Sequence, residues 1–129
     1  MNGKYLLDTN IIIDLFAKVD SVHKKLKDAE EVFIPAIVLG ELYFGAMKSK
    51  KVESNVKRID DFATANAILV CDATVAKEYG TIKNKLKEKG CPIPENDIWI
   101  AAMAIRNSLT LVSRDDHFKH IETIQWEVW

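Results

Sequence analysis

Cysteine is nearly absent: the 129 residues contain only Cys71 and Cys91. Two thiols cannot build a disulfide framework, and their spacing matches no zinc-ligand pattern. Cys71 closes the apolar run Ala67-Ile68-Leu69-Val70, which predicts a buried small hydrophobe. Glycine and proline are also sparse, at five and three. With no low-complexity tract or repeat beside them, the chain reads as a single domain over residues 1–129. No apolar run approaches the roughly 20 residues needed to span a bilayer, so a membrane is not an expected partner. The opening Met1-Asn2-Gly3-Lys4 leads straight into a strand-like run, with no room for a signal peptide. A reducing cytoplasm is the expected home. An excess of either charge is missing as well: 18 Lys and Arg face 19 Asp and Glu, a net charge of −1. Domains that bind nucleic acid usually carry a basic excess, so any polyanion must be handled locally.

What is present is a core. Hydrophobic residues make up 48%, enough for a packed interior and too many for a disordered chain. Short apolar runs alternate with longer amphipathic stretches, the pattern of an α/β domain with a mainly parallel sheet. Strands are predicted at Tyr5–Leu7, Val32–Ile34, Ile68–Val70, Leu109–Ser113 and Thr123–Trp129. Helices are predicted over 10–18, 21–29, 36–49, 52–66, 73–89 and 96–107. Gly90, Pro92 and Pro94 stop the fifth helix, and Asn96 offers an N-cap for the sixth. In such folds ligands collect at the C-terminal edge of the sheet.

Four acidic positions fall at that edge or on inward helix faces. Asp8-Thr9-Asn10 follows the first strand; these are ordinary cap residues, and Asp8 is also well seated to hold a metal. Glu41 has Ile37, Val38, Phe44 and Gly45 as helical neighbours, which predicts a carboxylate on the buried face unless it reaches water at the edge of the stripe. Asp97 lies in phase with Ile100, Ala101, Ala104 and Ile105, at a helix start where the dipole also favours an anion. Asp115 and Asp116 follow the fourth strand, where they read as a turn or as partners of Asp8. Carboxylates converging in a cleft repel one another unless a cation neutralises them, and hard oxygen donors select Mg²⁺ or Mn²⁺. His117 and His120 read as exposed loop residues, and His23 stands alone.

Taken in order, Asp8-Thr9-Asn10, Ile37-x-x-x-Glu41-Leu42-x-x-Gly45, Asn96-Asp97-x-x-Ile100-Ala101-Ala102 and Ser113-Arg114-Asp115 before His117-Phe118 resemble the PIN domain. More narrowly they resemble the VapC-type toxins of prokaryotic type II toxin–antitoxin systems. The resemblance implies a three-layer α/β/α sandwich and an endoribonuclease dependent on Mg²⁺ or Mn²⁺, leaving a 5′-phosphate and a 3′-hydroxyl. It implies that Asp8, Glu41, Asp97 and Asp115 form the catalytic, metal-holding quartet. Thr9 and Ser113 would add hydroxyls, Asn10 would orient Asp8 or its helix, and Asp116 is a possible supporting carboxylate. An RNA substrate, a cognate antitoxin and a homodimer are the implied partners. A PIN-like module that binds RNA or protein without catalysis is the alternative.

Arg114, beside the acids, suits a phosphate contact or a local bridge to Asp115 or Asp116. The clusters Lys24, Lys25, Lys27 and Lys48, Lys50, Lys51, Lys57, Arg58 read as RNA contacts or as solvated surface. Leu39, Leu42, Tyr43, Phe44 and Met47 give one helix more apolar surface than a single stripe needs, for the core or for a partner. Two other classes are disfavoured. A receiver domain would need an early Asp pair and a mid-chain phosphoacceptor, and an aspartyl phosphatase an Asp-x-Asp where Asn10 stands.

Overall fold

The computed structural model describes residues 3–129; Met1 and Asn2, where the reading without a signal peptide begins, lie outside the described residues. The five predicted strands form as β1 (Lys4–Leu7), β2 (Glu31–Pro35), β3 (Ala67–Leu69), β4 (Thr110–Val112) and β5 (Trp126–Glu127). Between them lie α1 (Thr9–Phe16), α2 (Asp20–Asp28), α3 (Ala36–Met47), α4 (Val52–Ala65), α5 (Ala73–Lys89) and α6 (Glu95–Arg106), with a 3₁₀ turn at Asp116–His120.

The sheet order is β3-β2-β1-β4-β5, and every neighbouring pair is parallel. From β1 the chain steps outward to β2 and β3, then returns to lay β4 on the other side of β1. Right-handed crossovers put the helices of these two directions on opposite faces of the sheet. The packing agrees: α1 touches α2 and α3, α3 touches α4, and α5 packs along α6. The result is the expected three-layer sandwich.

Helix α6 forms the centre of one layer. Ile100, Ala101, Ala102, Met103 and Ala104 are all fully buried, because the helix touches α5, β4 and the 3₁₀ turn at once. On the sheet, Leu6, Leu7, Ile34, Leu111 and Val112 supply the facing core. Helix α5 is closed at both ends. Asp72 accepts hydrogen bonds from the Val75 amide (3.0 Å) and the Thr74 hydroxyl (2.7 Å), and Gly90 takes the left-handed conformation at φ +70° that ends the helix.

Three local expectations are corrected. Asn96 does not cap α6: Pro94 occupies that position, and Asn96 lies within the first turn. The last strand is only two residues long, although it pairs firmly with β4. Cys71 is exposed, as is Val70 at 66%, because β3 is an edge strand that ends at Leu69 and the apolar run continues past the sheet. Among the described residues no helix is long and apolar enough to cross a membrane.

These two features should separate in stability. Leu111→Ala, in the fully buried centre of the sheet, should cost about 2–5 kcal/mol. Asp72→Ala should cost only about 1 kcal/mol through loss of the cap. Urea titrations should show both as shifted midpoints with an unchanged slope; equal losses would contradict this assignment of the core.

Candidate active site

The point where the strand order reverses lies between β1 and β4, and such a switch opens a crevice at the strand ends. Leu7 is in register with Val112, and the ladder runs one residue further as the Asp8 amide donates to the Val112 carbonyl at 3.0 Å. Asp8 and Ser113 therefore leave the sheet side by side. Ser113 is held from the other side by β5, where its amide donates to the Glu127 carbonyl (3.0 Å) and Trp126 Nε1 donates to its carbonyl (2.9 Å).

Asp8 is buried, with 5% of its surface exposed, so its carboxylate must find partners inside the protein. One oxygen accepts the Thr9 amide at 2.8 Å, and the other accepts the Ser113 hydroxyl at 2.7 Å. Ser113 Oγ in turn accepts the Asp115 amide (3.0 Å) and Asn10 Nδ2 (3.3 Å). Those two donors fill both lone pairs, so the single hydroxyl proton has to point at Asp8. Asn10 completes the link by accepting the Arg114 amide at 3.1 Å. Burial raises the Asp8 pKa, the Ser113 and Thr9 hydrogen bonds oppose that rise, and the charges of Glu41 and Asp115 add to it.

Asp97 enters from the first turn of α6. Its Oδ2 lies 3.0 Å from His117 Nδ1, and the same nitrogen lies 2.8 Å from Asp115 Oδ1. Two acceptor-only carboxylates on one nitrogen assign the proton to Nδ1. Ligand atoms of Asp97, Asp115 and His117 all fall within 4.8 Å of one another. Burial pushes the Asp97 carboxyl up to about 6, with Asp8 and Asp115 adding to the rise and the His117 hydrogen bond opposing it. The His117 pKa is also raised, chiefly by its bond to Asp97.

The remaining predicted residues are spread around this centre. Glu41 is exposed rather than buried, because the face of α3 that carries it is left uncovered: Phe44 is 63% and Met47 61% exposed. Its Oε1 accepts the Thr9 hydroxyl at 2.8 Å, which places Glu41 at the rim. Beside it, Thr9, Ile13, Phe16, Glu41, Gly45 and Arg58 line a groove of about 390 Å³. Asp116 points away and pairs with Lys119 at 3.5 Å, outside the cluster. Arg114 bridges to neither Asp115 nor Asp116; its guanidinium lies 3.3 Å from Asp14 on α1. Of the basic clusters, Arg58 is the member that lines the groove. Leu42 is buried and Leu39 and Tyr43 pack against the core, so Phe44 and Met47 carry the helix's spare apolar surface.

Sequence reasoning missed His117 as a member of the site. It sits two residues after Asp115, and that spacing was the available signal. Its contact with Asp97, 20 positions earlier, needs the fold to become visible.

The PIN domain profile matches residues 5–124. Over 98% of both chains the sequence is 36% identical to Ribonuclease VapC2 of Haemophilus influenzae. It is 31% identical, again over 98% of both chains, to the tRNA(fMet)-specific endonuclease VapC of Shigella flexneri. The fold matches a crystal structure of VapBC2 from Rickettsia felis bound to a promoter DNA fragment, with a TM-score of 0.90 and 35% identity over 98% of each chain. With the profile covering nearly every residue and relatives aligned end to end, the chain belongs to the PIN-domain family, among its VapC members.

Proposed function

We propose that this chain is a divalent-metal-dependent endoribonuclease acting as the toxin of a toxin–antitoxin pair. The carrying observation is the convergence of Asp8, Asp97 and Asp115 at the β1–β4 switch point. Its closely matched relatives are named ribonucleases or endonucleases, and its structural neighbour is a VapBC complex. A silent binding module would have no need to gather buried like charges, which costs stability.

The donor set fits a hard cation. Its oxygens suit Mg²⁺ or Mn²⁺, and positive charge is what the raised carboxyls of Asp8 and Asp97 lack. Asp8, Asp97 and Asp115 would hold the ion, with Glu41 at the rim. When bound, such an ion polarises the scissile phosphate and lowers the pKa of the attacking water. The side chains do the positioning. Ser113 directs its proton at Asp8, which favours the ionised carboxylate against the effect of burial, while Asn10 fixes the loop that carries Asp115. His117 holds Asp97 and Asp115 together through one shared proton. Glu41, steadied by Thr9, is placed to orient the attacking water or accept its proton. Arg114, half exposed, offers its remaining donors to a phosphate. Attack in line would leave a 5′-phosphate and a 3′-hydroxyl, and the substrate places the protein in the cytoplasm.

The cognate antitoxin would cover the groove beside Glu41, and the toxin would pair with a second copy. Light scattering should return twice the 14.6 kDa of one chain; a monomer at high concentration would remove the dimer from this proposal.

Asp8→Asn keeps the shape of the side chain and removes its charge. It should abolish cleavage of total RNA in Mg²⁺ while thermal unfolding stays cooperative, as EDTA should for the wild type. A variant that still cuts at the wild-type rate would sink the assignment.

The pKa directions fix the behaviour with pH. Asp8, Asp97 and His117 all hold protons more tightly folded than unfolded, so the metal-free chain should lose stability as pH rises, for Asp97 from about 4 through about 6. Ion binding needs the deprotonated carboxylates, so the gain in Tm from Mn²⁺ over EDTA should be larger at about pH 7.5 than at about pH 5. An equal gain at both values would contradict this ligand set.

A further inference from the structure

Arg114 poses an electrostatic problem that Asp14 solves. The guanidinium belongs to the residue between Ser113 and Asp115, and the same loop approaches Asp8 through Ser113. Nothing in the sequence keeps so mobile a cation out of the acidic cluster beside it. Within the cluster it would satisfy the carboxylates and take the place of a metal ion.

The structure shows it turned the other way. Its NH1 lies 3.3 Å from Asp14 Oδ2, and the Asp14 side chain is only 15% exposed. Asp14 stands one helical turn after Asn10 on α1, and Asn10 Oδ1 accepts the Arg114 amide at 3.1 Å. Helix α1 therefore holds Arg114 at two points, backbone and side chain. The nearer acids are already paired, Asp115 with His117 at 2.8 Å and Asp116 with Lys119 at 3.5 Å. The neighbouring charges that raise Asp8 are those of Glu41 and Asp115, and those acting on Asp97 are Asp8, Asp115 and His117.

We propose that Asp14 is a positioning residue that holds the Arg114 guanidinium at the rim of the site and keeps the carboxylate cluster open to a divalent cation. The inference rests on the metal-dependent nuclease reading above. It adds that the rim arginine is kept where it can meet substrate phosphate without competing with the ion, and that α1, which Asp8 caps, sets both positions.

A double-mutant cycle on Mn²⁺ affinity tests it, with binding read by titration of free Mn²⁺ in electron paramagnetic resonance. Asp14→Asn should weaken Mn²⁺ binding about tenfold, as a freed guanidinium enters the cluster. Arg114→Gln should bind Mn²⁺ at least as tightly as wild type. In the Arg114→Gln background, Asp14→Asn should change affinity by less than about twofold, which a merely structural role for Asp14 would not produce. Thermal unfolding of each variant checks that it is folded. Wild-type affinity in Asp14→Asn, or an equal loss in both backgrounds, overturns the proposal. A wild-type protein that takes up no Mn²⁺ overturns the metal reading itself, and this proposal with it.

Discussion

A buried carboxylate at the end of the first strand is the constraint around which this molecule is organised. Asp8 is nearly sealed from water, and an ionised group in that position is tolerated only with hydrogen bonds to both oxygens. One comes from its own neighbour, since Thr9 opens α1. The other must come from across the sheet, and that requirement reaches a long way. It places a hydroxyl at Ser113, which needs β4 beside β1 in the observed register. It also needs Ser113 held still, which is the contribution of Trp126 and Glu127 in a strand only two residues long. A short terminal strand therefore acts on the site through a single serine.

The same crowding explains the cluster's character. Glu41 and Asp115 raise the cost of ionising Asp8, Asp8 and Asp115 raise that of Asp97, and the bond from His117 opposes the rise at Asp97. Folding thus gathers charges that would be cheaper apart. That stability is sacrificed for a site able to take a cation, and the fully buried run of α6 that begins three residues beyond Asp97 helps to offset it. A net charge of −1 for the whole chain conceals this, because the remaining acids and bases are scattered over the surface in pairs such as Lys57–Asp61 and Lys83–Glu95.

The sequence was informative wherever a property is local and periodic. Alternating apolar runs gave the five strands and the six helices, and helical phase put Asp97 against the core. Its limits were equally physical. Periodicity identifies the apolar face of a helix but not what covers it; Glu41 lies on such a face of α3 and is nonetheless exposed, at the edge of an open groove beside α1 and α4. Cys71 follows an apolar run and is exposed for a related reason, since the run outlasts the edge strand. His117 and Asp14 were unreadable because each takes its meaning from one distant partner, Asp97 and Arg114 respectively, and single contacts of that kind leave no periodic trace.

The mouth of the site combines two surfaces that recognise different things. Its floor is acidic and repels a polyanion until a cation is present, whereas its rim at Ile13, Phe44 and Met47 is apolar and open whatever the metal state. Under the proposed function, RNA would depend on the ion for entry, and an apolar antitoxin segment would not. Arg58, over the Phe16 ring at 5.2 Å, adds a cation to the groove. A protein segment pairing apolar residues with an acid would thus engage the rim of the metal-free chain directly. Under that proposal, inhibition would be set by protein contacts at the rim and catalysis by charge at the floor, so neither would have to weaken for the other to work.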